Sequence, residues 1–121
     1  IGNGDIKTVD DALFRIKNYP VDGIMIGRGS IERPWIFRQI TQALRGEPVD
    51  SEPTATELRN LIKKHFNLLK QQFNDHTALF LIRKTVCHYA VNRSGVKKFR
   101  NEISSVKEPT TFFQLIDNFF H

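Results

Sequence analysis

The sequence predicts a mainly α-helical chain in which a short strand-helix-strand segment precedes a bundle of four helices. Residues 24–26 are apolar, lie between glycines and are too few for a helix, which is typical of a buried parallel strand. After residue 54, apolar residues recur at helical spacing in four successive stretches. The segment 47–53 between these parts contains two prolines. We therefore predict two domains, residues 1–46 and 47–121.

The first predicted elements alternate between strand and helix. Residues 1–6 are typical of a strand end that runs into a Gly-Asn-Gly turn. Thr8, with Asp11 three residues later, predicts the start of a helix that ends before Pro20. The strand at 23–27 follows. A helix that connects two strands makes those strands parallel neighbours.

The rest of the chain predicts helices. Pro34 suits the first position of a helix over about 34–45, and Gly46 suits its C-terminal cap. Thr54 and Glu57 have the spacing of a capping box, and an apolar face then extends to Phe73. Further helices are predicted over about 77–92, from residue 96, and from residue 109. The phenylalanine-rich last helix is predicted to be core, because its phenylalanines recur at helical spacing.

The positive charge of the chain is concentrated in its middle. The whole sequence has 18 Lys and Arg against 13 Asp and Glu, a net charge of +5. Residues 54–107 have 11 basic and 3 acidic residues, a net charge of +8, whereas residues 1–53 have a net charge of −1. A segment this basic favours a polyanionic partner such as nucleic acid, and a solvated lysine-rich surface is the alternative.

Composition also limits the protein's class. No apolar run approaches the roughly 18 residues of a membrane span, and no charged-then-apolar leader is present, so we predict a soluble protein without a membrane partner. The single cysteine, Cys87, cannot form an internal disulfide, which favours the cytoplasm. Met25 is the only methionine and the chain opens on what looks like a strand end, so we expect a segment of a longer protein.

One turn is a candidate ligand site. Gly27 and Gly29 allow close approach of the backbone to a phosphate, and Arg28 between them offers a charged planar donor. An ordinary strand exit has the same pattern. No metal site is predicted, because His65 and His88 have no partners at metal-ligand spacing.

Four motifs follow one another along the chain, namely Asn3-Gly4-Asp5, Gly27-Arg28, Arg33-Pro34-Trp35-Ile36-Phe37 and Arg83-Lys84. In this order they resemble the C-terminal third of bacterial tRNA-dihydrouridine synthases. The resemblance covers essentially the whole chain. It implies the last strand-helix-strand piece of an FMN-binding (β/α)8 barrel, followed by a helical tRNA-binding domain.

The resemblance also implies roles for particular residues. Asn3, Gly4, Asp5, Gly27 and Arg28 would bind FMN, with Arg28 paired to its phosphate. Asp5 is a poor direct partner for a phosphate, so we expect it to act through its backbone or to cap the following helix.

Basic residues of the helical part, namely Arg83, Lys84 and Arg100, match the family's tRNA-contacting positions. The family's usual Arg-Lys-His run reads Arg83-Lys84-Thr85 here.

The implied reaction is the reduction of a tRNA uridine to 5,6-dihydrouridine by FMN, with NADPH as the reductant. The family's cysteine acid belongs to an earlier barrel loop, so Cys87 does not inherit that role and no catalytic residue is assigned here. The segment alone is expected to be inactive. Two alternatives stay open: another FMN-dependent barrel oxidoreductase, or a non-enzymatic helical RNA-binding module. The sequence leaves the oligomeric state open.

Overall fold

A computed structural model describes residue 2 and residues 4–121, and it is mainly helical, as predicted. The chain divides into two compact units, Ile1–Glu52 and Pro53–His121, here called unit 1 and unit 2. Within the described residues the helices are α1 Val9–Asn18, α2 Arg28–Glu32, α3 Ile36–Leu44, α4 Ala55–Lys70, α5 Asp75–Tyr89, α6 Val96–Ser104 and α7 Pro109–Phe119.

Unit 1 contains α1, α2 and α3 around a small aliphatic core. Thr8 caps α1 with the predicted capping box: its hydroxyl accepts from the Asp11 N–H, and the Asp11 carboxylate accepts from the Thr8 N–H. The core contains five buried residues from both ends of the unit, namely Ile6, Ala12, Ile26, Ile36 and Ile40. These contacts bring the chain segment before α1 next to the segment before α2.

The prediction of two strands in unit 1 is wrong. In the described residues, the two segments form a single parallel bridge, between Gly2 and Ile24, rather than strands. The Gly2 N–H donates to the Gly23 carbonyl and the Met25 N–H donates to the Gly2 carbonyl, both over 2.7 Å. Parallel neighbours are thus present as predicted. The segment 24–26 is not buried on both faces as predicted, because Ile26 is buried while Met25 is 55% exposed.

Unit 1 contains one helix that was not predicted, and another helix begins later than predicted. The Gly27-Arg28-Gly29 stretch was predicted as a turn, but it begins α2, where the Ser30 hydroxyl donates to the Gly27 carbonyl over 2.7 Å. α3 begins at Ile36 rather than at Pro34. The reason is a turn in which the Ile36 N–H donates to the Arg33 carbonyl over 2.9 Å.

Unit 2 packs the four predicted helices α4–α7 around a phenylalanine-rich core. Thr54 and Glu57 form the predicted capping box at the start of α4. Phe66 stacks on Phe112 with ring centroids 5.9 Å apart, and Phe99 stacks on Phe119 at 4.1 Å. The last helix is therefore core, as predicted.

The prediction that the apolar face of α4 extends to Phe73 is wrong. The helix ends at Lys70, and Phe73, beyond it, is 42% exposed.

Candidate cofactor and nucleic-acid sites

Four of the five residues predicted to bind a flavin line a cavity of about 310 Å³ in unit 1. It is lined by residues 4–7 and by Met25, Gly27, Arg28 and Gly29. The core contacts described above bring these two segments together, so residues distant in sequence share one surface. Asn3, the fifth predicted residue, lies outside the described residues.

Arg28 and Asp5 form an ion pair at this cavity. Arg28 Nη2 lies 3.0 Å from Asp5 Oδ1, with the side chains 86% and 71% exposed. Such an exposed pair contributes little stability, because water solvates both charges well. The guanidinium can therefore exchange the carboxylate for another anion at low cost. One of our two expectations, that Asp5 caps α1, is wrong, because Thr8 and Asp11 form that cap.

The three glycines that line this cavity differ in how much space surrounds their Cα atoms and in their backbone conformation. A Cβ atom on Gly29 would lie 2.3 Å from the Ile6 carbonyl oxygen, so Gly29 is required by the chain's own packing. A Cβ atom on Gly27 would meet no described atom within 4 Å. Gly4 has φ +113°, a left-handed conformation that glycine adopts without strain. Open space for a ligand is thus found at Gly27 rather than at Gly29.

Arg33 is a positioning residue whose contacts the sequence did not reveal. Its Nη1 donates to the Lys7 carbonyl over 3.1 Å, and its Nη2 forms an ion pair with Glu52. Glu52 also accepts from the Trp35 indole N–H over 2.9 Å. Arg33 thereby ties the cavity segment 4–7 to the segment that follows α3. The Arg33-Pro34-Trp35 motif was the only signal of this role.

The segment 47–52 is held against α3 by side-chain contacts. The Gln39 amide donates to the Asp50 carbonyl over 3.0 Å, and Arg38 Nε lies 2.9 Å from an Asp50 carboxylate oxygen. Residues 47–52 are therefore part of unit 1.

The Arg83 side chain, in unit 2, makes hydrogen bonds to the backbone of its own unit. Its Nη1 donates to the carbonyls of Ser104, over 2.9 Å, and of Val106, over 3.1 Å. These carbonyls lie at and after the C-terminal end of α6, where helix carbonyls lack intrahelical partners. The same guanidinium lies 5.5 Å from the centroid of the Phe80 ring. Arg83 thus fastens α6 to α5.

Lys84 and Arg100, the other two predicted RNA-binding residues, are exposed. Lys84 and Arg83 line a cleft of about 310 Å³, here called the α5 cleft, together with Phe80, Leu81, Cys87, Ile103 and Ser104. Burial raises the pKa of the Cys87 thiol, and the Arg100 guanidinium opposes this because it favours the thiolate. Two of the three basic residues, Arg83 and Lys84, thus line the cleft, and Arg100 favours the thiolate of Cys87, which also lines it.

The three acidic residues of the segment 54–107 are not among the residues that line this cleft, and each has another partner. Glu57 caps α4, Asp75 lies 3.5 Å from Lys70, and Glu102 lies 3.9 Å from Lys98. The positive charge of Lys84 and Arg100 therefore stays available to an anionic partner.

The described residues contain neither a metal-binding cluster nor a membrane-spanning helix. Among residues 2 and 4–121, no group of three or more His, Cys, Asp or Glu side chains is arranged to hold a metal ion. Burial lowers the pKa of the half-buried His65. Within the described part of the chain, no helix has the length and apolar character needed to cross a bilayer.

The chain belongs to the dihydrouridine synthase (Dus) family, whose model matches residues 1–121. It is 34% identical over 107 residues to "Probable tRNA-dihydrouridine synthase" of Mycobacterium leprae. The aligned region covers 88% of this chain and 28% of that protein. It is 29% identical over 121 residues to "tRNA-dihydrouridine synthase B" of Pasteurella multocida, covering all of this chain and 36% of that protein.

A third relative, "tRNA-dihydrouridine synthase B" of Pseudomonas putida, is 34% identical over 107 residues, 88% of this chain and 32% of that protein. The chain thus spans about a third of the length of these curated relatives. The match confirms the resemblance stated from the four motifs.

Proposed function

We propose that the protein containing this chain reduces uridine to 5,6-dihydrouridine in tRNA. The match of the family model along all 121 residues carries this proposal, and the names of the relatives supply the reaction and substrate. Unit 1 would be the end of an FMN-binding (β/α)8 barrel, which the parallel bridge between Gly2 and Ile24 supports. Unit 2 would be the helical tRNA-binding domain. A cytoplasmic location stays a prediction from cysteine usage.

The chemistry of the unit 1 cavity fits the phosphate end of FMN. Arg28 is a charge-assisted donor at its rim, and the open space at Gly27 admits an atom close to the backbone. Gly4 and, by resemblance, Asn3 would complete the site. Asp5 would hold the guanidinium in place until the phosphate replaces its carboxylate. Bound FMN, reduced by NADPH, would supply the hydride for the uracil ring.

Arg28→Ala tests the flavin assignment in the intact protein. Loss of a charge-assisted hydrogen bond costs roughly 1.5–3 kcal/mol, so FMN affinity is expected to fall about tenfold to a hundredfold. Flavin retention after dialysis is the measurement. Arg38→Ala is the matched control, because Arg38 pairs with Asp50 outside the cavity. Equal flavin retention in both variants would refute the assignment.

Salt-dependent binding tests the role of unit 2. Phosphate contacts release counterions, so log Kd for tRNA is expected to vary linearly with log salt concentration. Lys84→Ala should make this slope about one unit shallower, and Arg100→Ala should act in the same way. Lys63→Ala is the control, because Lys63 already lies 3.5 Å from the Asp117 carboxylate. Binding that does not depend on salt would contradict the proposal.

A further inference from the structure

Phe80 is the most exposed large apolar side chain in the described part of unit 2, at 59% exposure. It lies on α5 one turn before Lys84, and both residues line the α5 cleft. Leu81 beside it is also exposed, so the two form a continuous apolar surface at the cleft. Core packing does not account for this ring.

The Phe80 ring has a fixed cationic neighbour. The Arg83 guanidinium lies 5.5 Å from the ring centroid, and two backbone carbonyls hold its Nη1 in place. Arg83 therefore cannot move away without the loss of both hydrogen bonds. An aromatic ring supported in this way offers a preorganised flat surface, which reduces the entropy that a ligand loses on binding.

We propose that Phe80 is a stacking platform for an unpaired base of the bound tRNA, with Lys84 placed to contact an adjacent phosphate. Single-stranded RNA segments are recognised by such combinations of aromatic rings with basic side chains. This inference rests on the proposed tRNA binding of unit 2. It adds a residue that no charge argument identifies, because Phe80 is neutral.

Charge favours RNA over an apolar protein segment as the occupant. The described residues that line the α5 cleft include two cations, Arg83 and Lys84, and no carboxylate, so its lining is positively charged. An apolar segment seated there would desolvate Lys84 without supplying a counter-charge, which is costly. A nucleotide supplies a planar ring and an anion together.

The test measures the binding of this 121-residue chain to tRNA, to single-stranded oligouridylate and to a blunt RNA duplex of equal length. The variants are Phe80→Ala, Phe80→Tyr, which keeps a ring, and Phe73→Ala, an exposed phenylalanine outside the cleft. Phe80→Ala should weaken oligouridylate binding about fivefold to 150-fold. Duplex affinity and the salt slope should be unchanged, and the other two variants should bind as the wild type does.

Three outcomes separate the possibilities. If the wild-type chain binds tRNA and Phe80→Ala binds single strands equally well, the stacking role is wrong while tRNA binding stands. If Phe80→Ala weakens single-strand and duplex binding alike, the ring does not stack on unpaired bases and the inference is also overturned. If the wild-type chain binds no RNA, both this inference and the proposed role of unit 2 fail. Circular dichroism of each variant verifies its fold.

Discussion

Among the described glycines of unit 1, Gly29 has the least room for a side chain. Its Cα faces the backbone of Ile6 and Lys7, and an added Cβ would lie 2.3 Å from the Ile6 carbonyl oxygen. Both partners of this contact are backbone, so no flexible side chain can move aside. The close approach fixes the start of α2 against the segment that lines the cavity.

Gly29→Ala is therefore expected to destabilise unit 1. Overpacking of this kind costs roughly 1–3 kcal/mol. Trp35 is the only tryptophan of the chain and lies in unit 1, so its fluorescence during urea unfolding reports on this unit. Gly23→Ala is the control, because a Cβ there meets no described atom within 4 Å. Equal unfolding midpoints for the two variants would contradict the packing described here.

The pKa of the Cys87 thiol reports on the electrostatics of the α5 cleft. Burial raises its pKa, and Arg100 opposes that rise, so the thiol form is favoured near neutral pH. Because the thiolate is the reactive form, alkylation should require a higher pH than for an exposed thiol.

The removal of Arg100 should raise the Cys87 pKa further. Arg100→Ala is thus expected to shift the pH profile of alkylation to higher pH and to slow the reaction at neutral pH. Lys97→Ala, an exposed residue on the same helix, is the comparison. Cys87 is the only cysteine, so mass spectrometry of the intact chain measures its reaction directly. An unshifted profile in Arg100→Ala would show that Arg100 does not act on this thiol.

At the scale of elements, α4 depends on its N-terminal cap. The Thr54 hydroxyl accepts from the Glu57 N–H over 3.2 Å, and the Glu57 carboxylate accepts from the Thr54 N–H over 2.7 Å. Both donors would otherwise lack intrahelical partners. The box therefore stabilises the longest helix in the described residues.

Thr54→Ala should lower the free energy of unfolding of unit 2 by about 0.5–2 kcal/mol, the usual contribution of an N-cap side chain. Thr111→Ala, at an exposed position within α7, serves as the control. Circular dichroism at the helical minimum during urea titration provides the measurement. Similar midpoints in both variants would mean that the cap does not limit the stability of the bundle.

At the scale of the whole molecule, this chain is expected to catalyse no dihydrouridine formation by itself. Hydride transfer needs the flavin ring and the uracil held about 3–3.5 Å apart in a site that excludes water. The chain spans 28–36% of the relatives' length, and of the flavin site the resemblance places only the phosphate end within it.

Incubation of the purified chain with FMN, NADPH and unmodified tRNA tests this expectation. Dihydrouridine is measured by mass spectrometry of the digested tRNA, with the intact protein as the positive control. The helices of unit 2 should still fold, because each of them buries apolar residues within the same bundle, and we expect them to bind tRNA. Product above background from the chain alone would indicate a local acid such as Cys87 and would overturn our placement of the active site.

The sequence by itself determined the features that depend on near neighbours. Both capping boxes join residues three positions apart, and the apolar faces of α5 and α7 recur within one or two helical turns. Helix starts and buried faces are therefore set locally and could be predicted. The order of the four motifs also identified the family, which the family model confirms.

Only the tertiary structure decided which distant residues meet. Arg28 and Asp5 lie 23 positions apart, and Arg83 reaches carbonyls 21 and 23 positions away. The close approach of Gly29 to Ile6 joins two segments on either side of α1. A predicted strand likewise became a single bridge at Ile24, because a strand requires paired neighbours and not only suitable residues. Such contacts depend on how elements pack, and the pattern along one element does not specify its partner.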